Sequence, residues 1–395
     1  MLYLILQWLR EWTKADWLLG GPFGLLDQVE FRAFAAGFLA FALVIVFGPT
    51  TIRRLIAMKL GDTGETDAEA LRAHAKSKAN VPTMGGLLIG GGILIATLLL
   101  ADLSRFHVQL GLVVLLWLGV VGGFDDWLKL TAASRGDGRQ GLLAWEKLVF
   151  QLGIGLLVGF FLYRHGLGQD GASMQHVVNM PGQRTYEPGG GGPAEGLIYL
   201  GRAAFIFISV LFVAGMSNAV NITDGMDGLA SGLSAVASIG LVLLALVAGS
   251  SGLAQYFLVP HVAFSAELAV LAAAMAGACL GFLWWNTSPA QVFMGDTGSL
   301  AIGGLIAYIA LAIRQEFVVL LMCVLFLAEI GSVVLQVGWF KWTRARTGTG
   351  RRIFRVAPYH HHLHMGGWTE QQVVARMWII SVLAALIGLA TIKIR

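Results

Sequence analysis

Four short stretches of this chain carry side chains suited to phosphate and metal chemistry. Gly-Phe-Asp-Asp-Trp-Leu-Lys (123–129) supplies Asp125 and Asp126, and residues 218–228 pack Asn221, Asp224 and Asp227 into one or two turns. Met-Gly-Asp-Thr-Gly-Ser (294–299) sets Asp296 beside two hydroxyls, and Pro-Tyr-His-His-His (358–362) brings His360, His361 and His362 together, followed by His364. Hard carboxylate oxygens suit Mg²⁺ shared with substrate phosphates better than a closed protein cage. Histidines titrate near neutrality and suit phosphate binding or proton handling. A zinc site is the weaker reading of the histidine run, because adjacent histidines project in different directions and partners at the usual spacing are lacking.

Each stretch also has a bland reading. Asp125 and Asp126 could be a polar helix end facing water, although the macrodipole opposes carboxylates at a helix C-terminus, where the third span is expected to stop. Thr223 or Asp224 could cap the following helix, and so could Asp296. Asp224 and Asp227, three apart, share a face if their segment is helical. Phe293 and Asn286 could be interfacial packing or substrate contacts. Thr83 lies in Pro-Thr-Met-Gly-Gly at the start of a span, and Lys78 just before it could neutralise a phosphate or be one more loop lysine.

The elements that must position these groups follow from composition. The 395 residues are 56% hydrophobic and 13% charged, with a mean hydropathy of +0.73. A soluble domain carries about 25% charge. The apolar runs are long and do not alternate, so an all-α polytopic integral membrane protein is expected, as one transmembrane domain over 1–395. Ten spans are expected, near 31–52, 84–100, 107–127, 147–163, 197–216, 226–248, 264–283, 299–313, 317–340 and 374–392. Residues 2–19 mix Leu, Ile and Trp with charges, so the first 30 residues read as an interfacial segment. Residues 1–9 lack the basic region and cleavage site of a signal peptide. Cys279 and Cys323 sit inside apolar runs, which argues against disulfides. The net charge of +4 fits basic loops beside an anionic leaflet and no nucleic-acid partner.

Basic residues concentrate in the odd-numbered connections: Arg53, Arg54, Lys59, Arg72, Lys76 and Lys78 in the first, Lys129, Arg135, Arg139 and Lys147 in the third, and six between Lys341 and Arg355 in the ninth. Those connections are therefore expected in the cytoplasm and both termini outside. Every chemistry-bearing stretch falls on the same, cytoplasmic side. The Gly-rich stretch 166–196 falls outside and reads as a flexible loop.

Taken together, Pro-Thr-Met-Gly-Gly, Phe-Asp-Asp-Trp-Leu-Lys, Asn-Ala-Val-Asn-Ile-Thr-Asp-Gly-Met-Asp-Gly-Leu-Ala, Phe-Met-Gly-Asp-Thr-Gly-Ser-Leu and Ala-Pro-Tyr-His-His-His-Leu resemble the phospho-N-acetylmuramoyl-pentapeptide transferases, within the polyprenyl-phosphate N-acetylhexosamine-1-phosphate transferases. Tyr359 stands where Phe is usual and His364 where Glu is common. The resemblance implies ten transmembrane helices, a homodimer in the bacterial cytoplasmic membrane with both termini periplasmic, and Mg²⁺. It implies transfer of phospho-MurNAc-pentapeptide from UDP-MurNAc-pentapeptide to undecaprenyl phosphate, giving lipid I and UMP, in peptidoglycan synthesis. Carried over by position, Asp125, Asp126, Asp296 and His360 would be catalytic, with Asp296 a metal ligand. Lys78, Thr83, Asn221, Asp224, Asp227, Asn286, Phe293, His361 and His362 would bind substrate. The competing readings are a sister transferase using UDP-GlcNAc and, in a different class, an ion-coupled transporter. Transporters place acids near the midplane and often show repeats, whereas here the acids gather at one face.

Overall fold

Long apolar segments in lipid must satisfy every backbone donor and acceptor internally, which selects helices. The computed structural model describes residues 1–13, 22–58, 81–135, 141–167, 174–189 and 192–393, and among these the regular structure is helical, with only isolated bridges at Val177–Tyr199 and Tyr186–Pro193. In chain order the α-helices are α1 (Leu2–Thr13), α2 (Val29–Ala57), α3 (Gly86–Leu100), α4 (Phe106–Arg135), α5 (Ala144–Leu167), α6 (Arg202–Thr223), α7 (Leu229–Gly249), α8 (Ser251–Phe257), α9 (Leu268–Asn286), α10 (Gly295–Ala312), α11 (Glu316–Met322), α12 (Val324–Thr347), α13 (Tyr359–His364) and α14 (Glu370–Thr391). Nine helices among the described residues are long and apolar enough to cross a membrane, and α3 is a shorter apolar helix of 15 residues.

α10 is the axis of the bundle: 94% of its apolar window is buried, against 22% for α12. It packs on α4, α6, α3 and α7, while α9 packs on α2, α7 and α3, and α5 lies along α6. Small residues permit these approaches, as expected where close van der Waals packing drives helix association in lipid. Gly303 of α10 rests directly on the backbone of Met216 and Ser217 in α6.

Three local expectations are corrected. The third span does not end at Asp125 and Asp126: α4 runs on to Arg135, so the acids lie within a helix and the macrodipole argument does not apply to them. Residues 224–228 form a turn and not a helix, so Asp224 and Asp227 share no helical face. Asp224 follows the last residue of α6, and Gly228, at φ +81°, precedes α7 in the place expected for Thr223 or Asp224. The ninth apolar segment is divided at Cys323 into α11 and α12, and α12 continues past Phe340 to Thr347.

The chemistry-bearing stretches lie at the start of α3, between α6 and α7, between α9 and α10, and between α12 and α14, which is one end of the bundle. At the opposite end, buried Arg32 pairs with Glu267 at 2.5 Å, and Glu267 also accepts the Asp102 amide at 3.0 Å. Within the Gly-rich stretch, His176 is buried and donates from Nε2 to the Tyr163 carbonyl at 2.9 Å, and Asn179 donates to the Arg314 carbonyl at 2.9 Å.

Candidate active site

The approach of α4 to α10 creates the centre of the site. Gly122 lies against the Asp296 carbonyl so closely that a Cβ there would overlap it. One turn later, Asp126 reaches the N-terminal end of α10. Its Oδ1 accepts the Asp296 amide at 3.0 Å, and its Oδ2 accepts the Thr297 amide at 2.9 Å and the Thr297 hydroxyl at 2.6 Å. The first amides of a helix have no intrahelical acceptors, so Asp126 caps α10 from a neighbouring helix. Gly295 enters the helix at φ +71°, and a Cβ on it would lie 2.6 Å from Asp126 Oδ2.

Asp125 and Asp296 share two ammonium groups. Lys147 Nζ lies 2.7 Å from Asp125 Oδ2 and 2.5 Å from Asp296 Oδ2. Lys129 Nζ lies 2.7 Å from Asp125 Oδ2 and 3.3 Å from Asp296 Oδ1. Asp125 Oδ1 also accepts the Leu142 amide at 2.6 Å. Asn221 donates from Nδ2 to Asp296 Oδ1 and to the Ser299 hydroxyl, both at 2.9 Å. One oxygen from each of Asp125, Asp126 and Asp296 lies within 4.8 Å of the other two, and all three residues are buried. Three hard oxygens so placed could hold a divalent ion, the donor set that Mg²⁺ prefers.

Asp224 stands beside this cluster. Burial first, then the charges of Asp296 and Asp126, raise its pKa to about 7, opposed by a hydrogen bond from the Gly295 amide. The acidic turn, the acid pair and the first turn of α10 therefore converge, as their spacing along the chain could not have shown.

The other expected residues hold the surrounding loops. Asn286 Oδ1 accepts the Gly228 amide at 2.9 Å and the Ser231 hydroxyl at 3.3 Å, while its Nδ2 donates to the Val292 carbonyl at 2.9 Å. Asp227 Oδ2 accepts the Ala290 amide at 3.1 Å, and its amide donates to Glu370 Oε1 at 3.0 Å. Half-buried Phe293 is tied by its backbone to Pro82 and Gly85, both at 2.8 Å, which sets half-buried Thr83 next to it. His360 is fully buried and its ring abuts Gly225, while His361 lies beside it with ring centroids 4.2 Å apart. His362 accepts the Arg355 amide at 3.2 Å and stacks on Tyr359. Lys78 falls outside the described residues.

Three side chains escaped the sequence reading of the site. Lys129 and Lys147 were legible only as loop charges, although Lys129 follows Asp125 by one helical turn, the spacing at which such pairs meet. Glu329 accepts from His360 and is the one acid in the apolar run 317–340, which was the signal.

The profile of Glycosyl transferase family 4 matches residues 108–314. The helical bundle and this family define the chain as a membrane enzyme, a phosphoglycosyl transferase. A phospho-N-acetylmuramoyl-pentapeptide-transferase of Desulfotalea psychrophila is 40% identical over 373 residues, covering 94% of this chain and 96% of the relative. Those of Neisseria meningitidis serogroup A and Neisseria gonorrhoeae are each 40% identical over 388 residues, 98% of this chain and 99% of theirs. The chain belongs to the phospho-N-acetylmuramoyl-pentapeptide-transferase family.

Proposed function

We propose that the protein transfers phospho-MurNAc-pentapeptide from UDP-MurNAc-pentapeptide to undecaprenyl phosphate at the cytoplasmic face of the inner membrane, giving lipid I and UMP with Mg²⁺ as cofactor. The observation that carries this reading is the meeting of Asp125, Asp126, Asp296 and Asn221 with Lys129 and Lys147 at one end of the bundle. Phosphoryl transfer asks a protein mainly for positioning and charge neutralisation, and that is what these groups offer.

The residues fit a divalent ion. Both oxygens of Asp126 are engaged by α10 and Asp125 is held by the Leu142 amide and two lysines, so Asp296 is the leading ligand, with Asp125 and Asp126 close enough to complete the site. An ion held there would offset charge on the diphosphate and on the departing UMP. The lysines add two positive charges close to the same oxygens. His360, next to the 224–228 turn, is placed to meet a phosphate, and Asn221 orients Asp296. Asp224 and Asp227 frame the nucleotide-sugar side.

A phosphate oxygen of the lipid attacks the sugar-bearing phosphorus. The bond from that phosphorus to the bridging oxygen breaks, and UMP departs with the electron pair. Both Asp125 oxygens are already held, Oδ1 by the Leu142 amide and Oδ2 by two ammonium groups. A carboxylate so engaged is a poor nucleophile, which favours direct attack over an enzyme-bound phosphoryl intermediate. Purified protein given undecaprenyl phosphate and UDP-MurNAc-pentapeptide should release UMP. Release with UDP-GlcNAc instead would reassign the donor. Exchange of labelled UMP into the nucleotide sugar without any lipid acceptor would rule out direct attack.

A further inference from the structure

We infer that Glu329 is the positioning residue for His360, holding the imidazole by Nδ1 so that Nε2 is the nitrogen presented to substrate. The inference rests on the proposed role of His360 at a phosphate. α12 is mostly turned away from the protein, and its buried residues are Phe326, Glu329, Ser332 and Thr343. A carboxylate hidden on such a helix is expensive, because an unpaired buried charge costs several kcal/mol, and an ionisable group inside an apolar span is by default functional.

The partner of Glu329 is His360 twice over. The His360 amide donates to Oε1 at 3.1 Å, and Nδ1 lies 3.0 Å from Oε2. An ionised carboxylate only accepts, so Nδ1 carries the hydrogen. Helix capping would account for the bond to the amide but not for the bond to the ring. The far nitrogen completes the case. His360 is 0% exposed, and its Nε2 has no hydrogen-bond partner among the described residues, whereas buried polar atoms that serve only packing are ordinarily satisfied. Nε2 points at Gly225, where a Cβ would lie only 2.5 Å away, so the missing side chain makes room for the ring beneath the turn that carries Asp224 and Asp227. A carboxylate on one ring nitrogen fixing the tautomer and aim of the other is a general device for acid–base and phosphate chemistry.

The test uses the full-length protein in detergent with Glu329→Gln, His360→Gln and the double variant. UMP release gives kcat and KM, thermal unfolding reports folding, and ¹⁵N-histidine spectra identify the tautomer, with His360→Gln assigning the signal. We expect Glu329→Gln to lower kcat at least about 10-fold, as loss of a supporting carboxylate commonly does. KM for the nucleotide sugar should stay within about 3-fold, which is under 1 kcal/mol. The Nδ1–H signature should be lost, and the double variant should be no slower than His360→Gln alone. Normal kcat in Glu329→Gln, fully additive losses, or a loss that tracks thermal stability would overturn the inference while leaving the function intact. Full activity of His360→Gln would overturn the inference together with the role of His360 at a phosphate on which it rests.

Discussion

Asp126 and Asp296 are both buried and both acidic, yet their bonds assign them different work. Asp126 accepts three hydrogen bonds from α10, so Asp126→Ala strands three buried donors, each costing about 1–3 kcal/mol. Its thermal unfolding temperature should fall by several degrees along with activity. Asp296→Ala removes an acid facing two lysines and Asn221. It should abolish UMP release while the unfolding temperature moves far less; near-normal activity would end the metal-ligand assignment. Asp224 makes a pH prediction. Its pKa rises from the ordinary carboxylate value to about 7 in the folded protein, so between about pH 4 and 7 the native state holds a proton that the unfolded chain has released. Stability of the metal-free protein should therefore decline as pH rises through that window, and Asp224→Asn should flatten the decline. An unchanged slope would show that the turn is not under the field of Asp296 and Asp126. At this scale the sequence was partly legible. Asp125, Asp126, Asp296 and Asn221 stood out by type, but Lys147 and Glu329 did not, because a lysine near a span end and a lone glutamate gain meaning only from what folds onto them.

Among the elements, the α4–α10 crossing governs the site. Gly122→Ala would place a methyl group on the Asp296 backbone, and helices cannot yield there without separating Asp126 from its three donors. The variant should lose most activity and unfold earlier, whereas Gly119→Ala on the same helix, with nothing near its Cβ, should behave as wild type. Equal behaviour of the two would show the crossing to be tolerant. The apolar segments were legible because lipid-facing helices must be long and continuously apolar. Their ends were not. The polar residues after Asp126 suggested a stop, yet α4 continues to Arg135, with Leu130 still packed against the apolar core. No proline or glycine marks the interruption at Cys323. Spacing alone left open whether 224–228 is helical, because glycine at φ +81° allows a compact acidic turn with the same spacing.

For the molecule as a whole, the acidic, amide and histidine groups gather at one end, in keeping with the orientation expected from the basic connections. The two cysteines are buried, so an introduced cysteine can report its side. Arg352→Cys should react with a membrane-impermeant maleimide only after cells are opened, and Glu187→Cys should react in intact cells. The reverse pattern would invert the topology and the proposed side of the reaction. Assembly of this molecule is also a matter of timing. Asp126 meets α10 across a sequence separation of 170 residues, so α4 is made long before its acids can find Asp296 or Thr297. Lys129, one turn along the same helix and 2.7 Å from Asp125, is made in the same breath. It offsets the charge of Asp125 from within the helix itself, leaving Asp126 as the acid whose partners come only with α10.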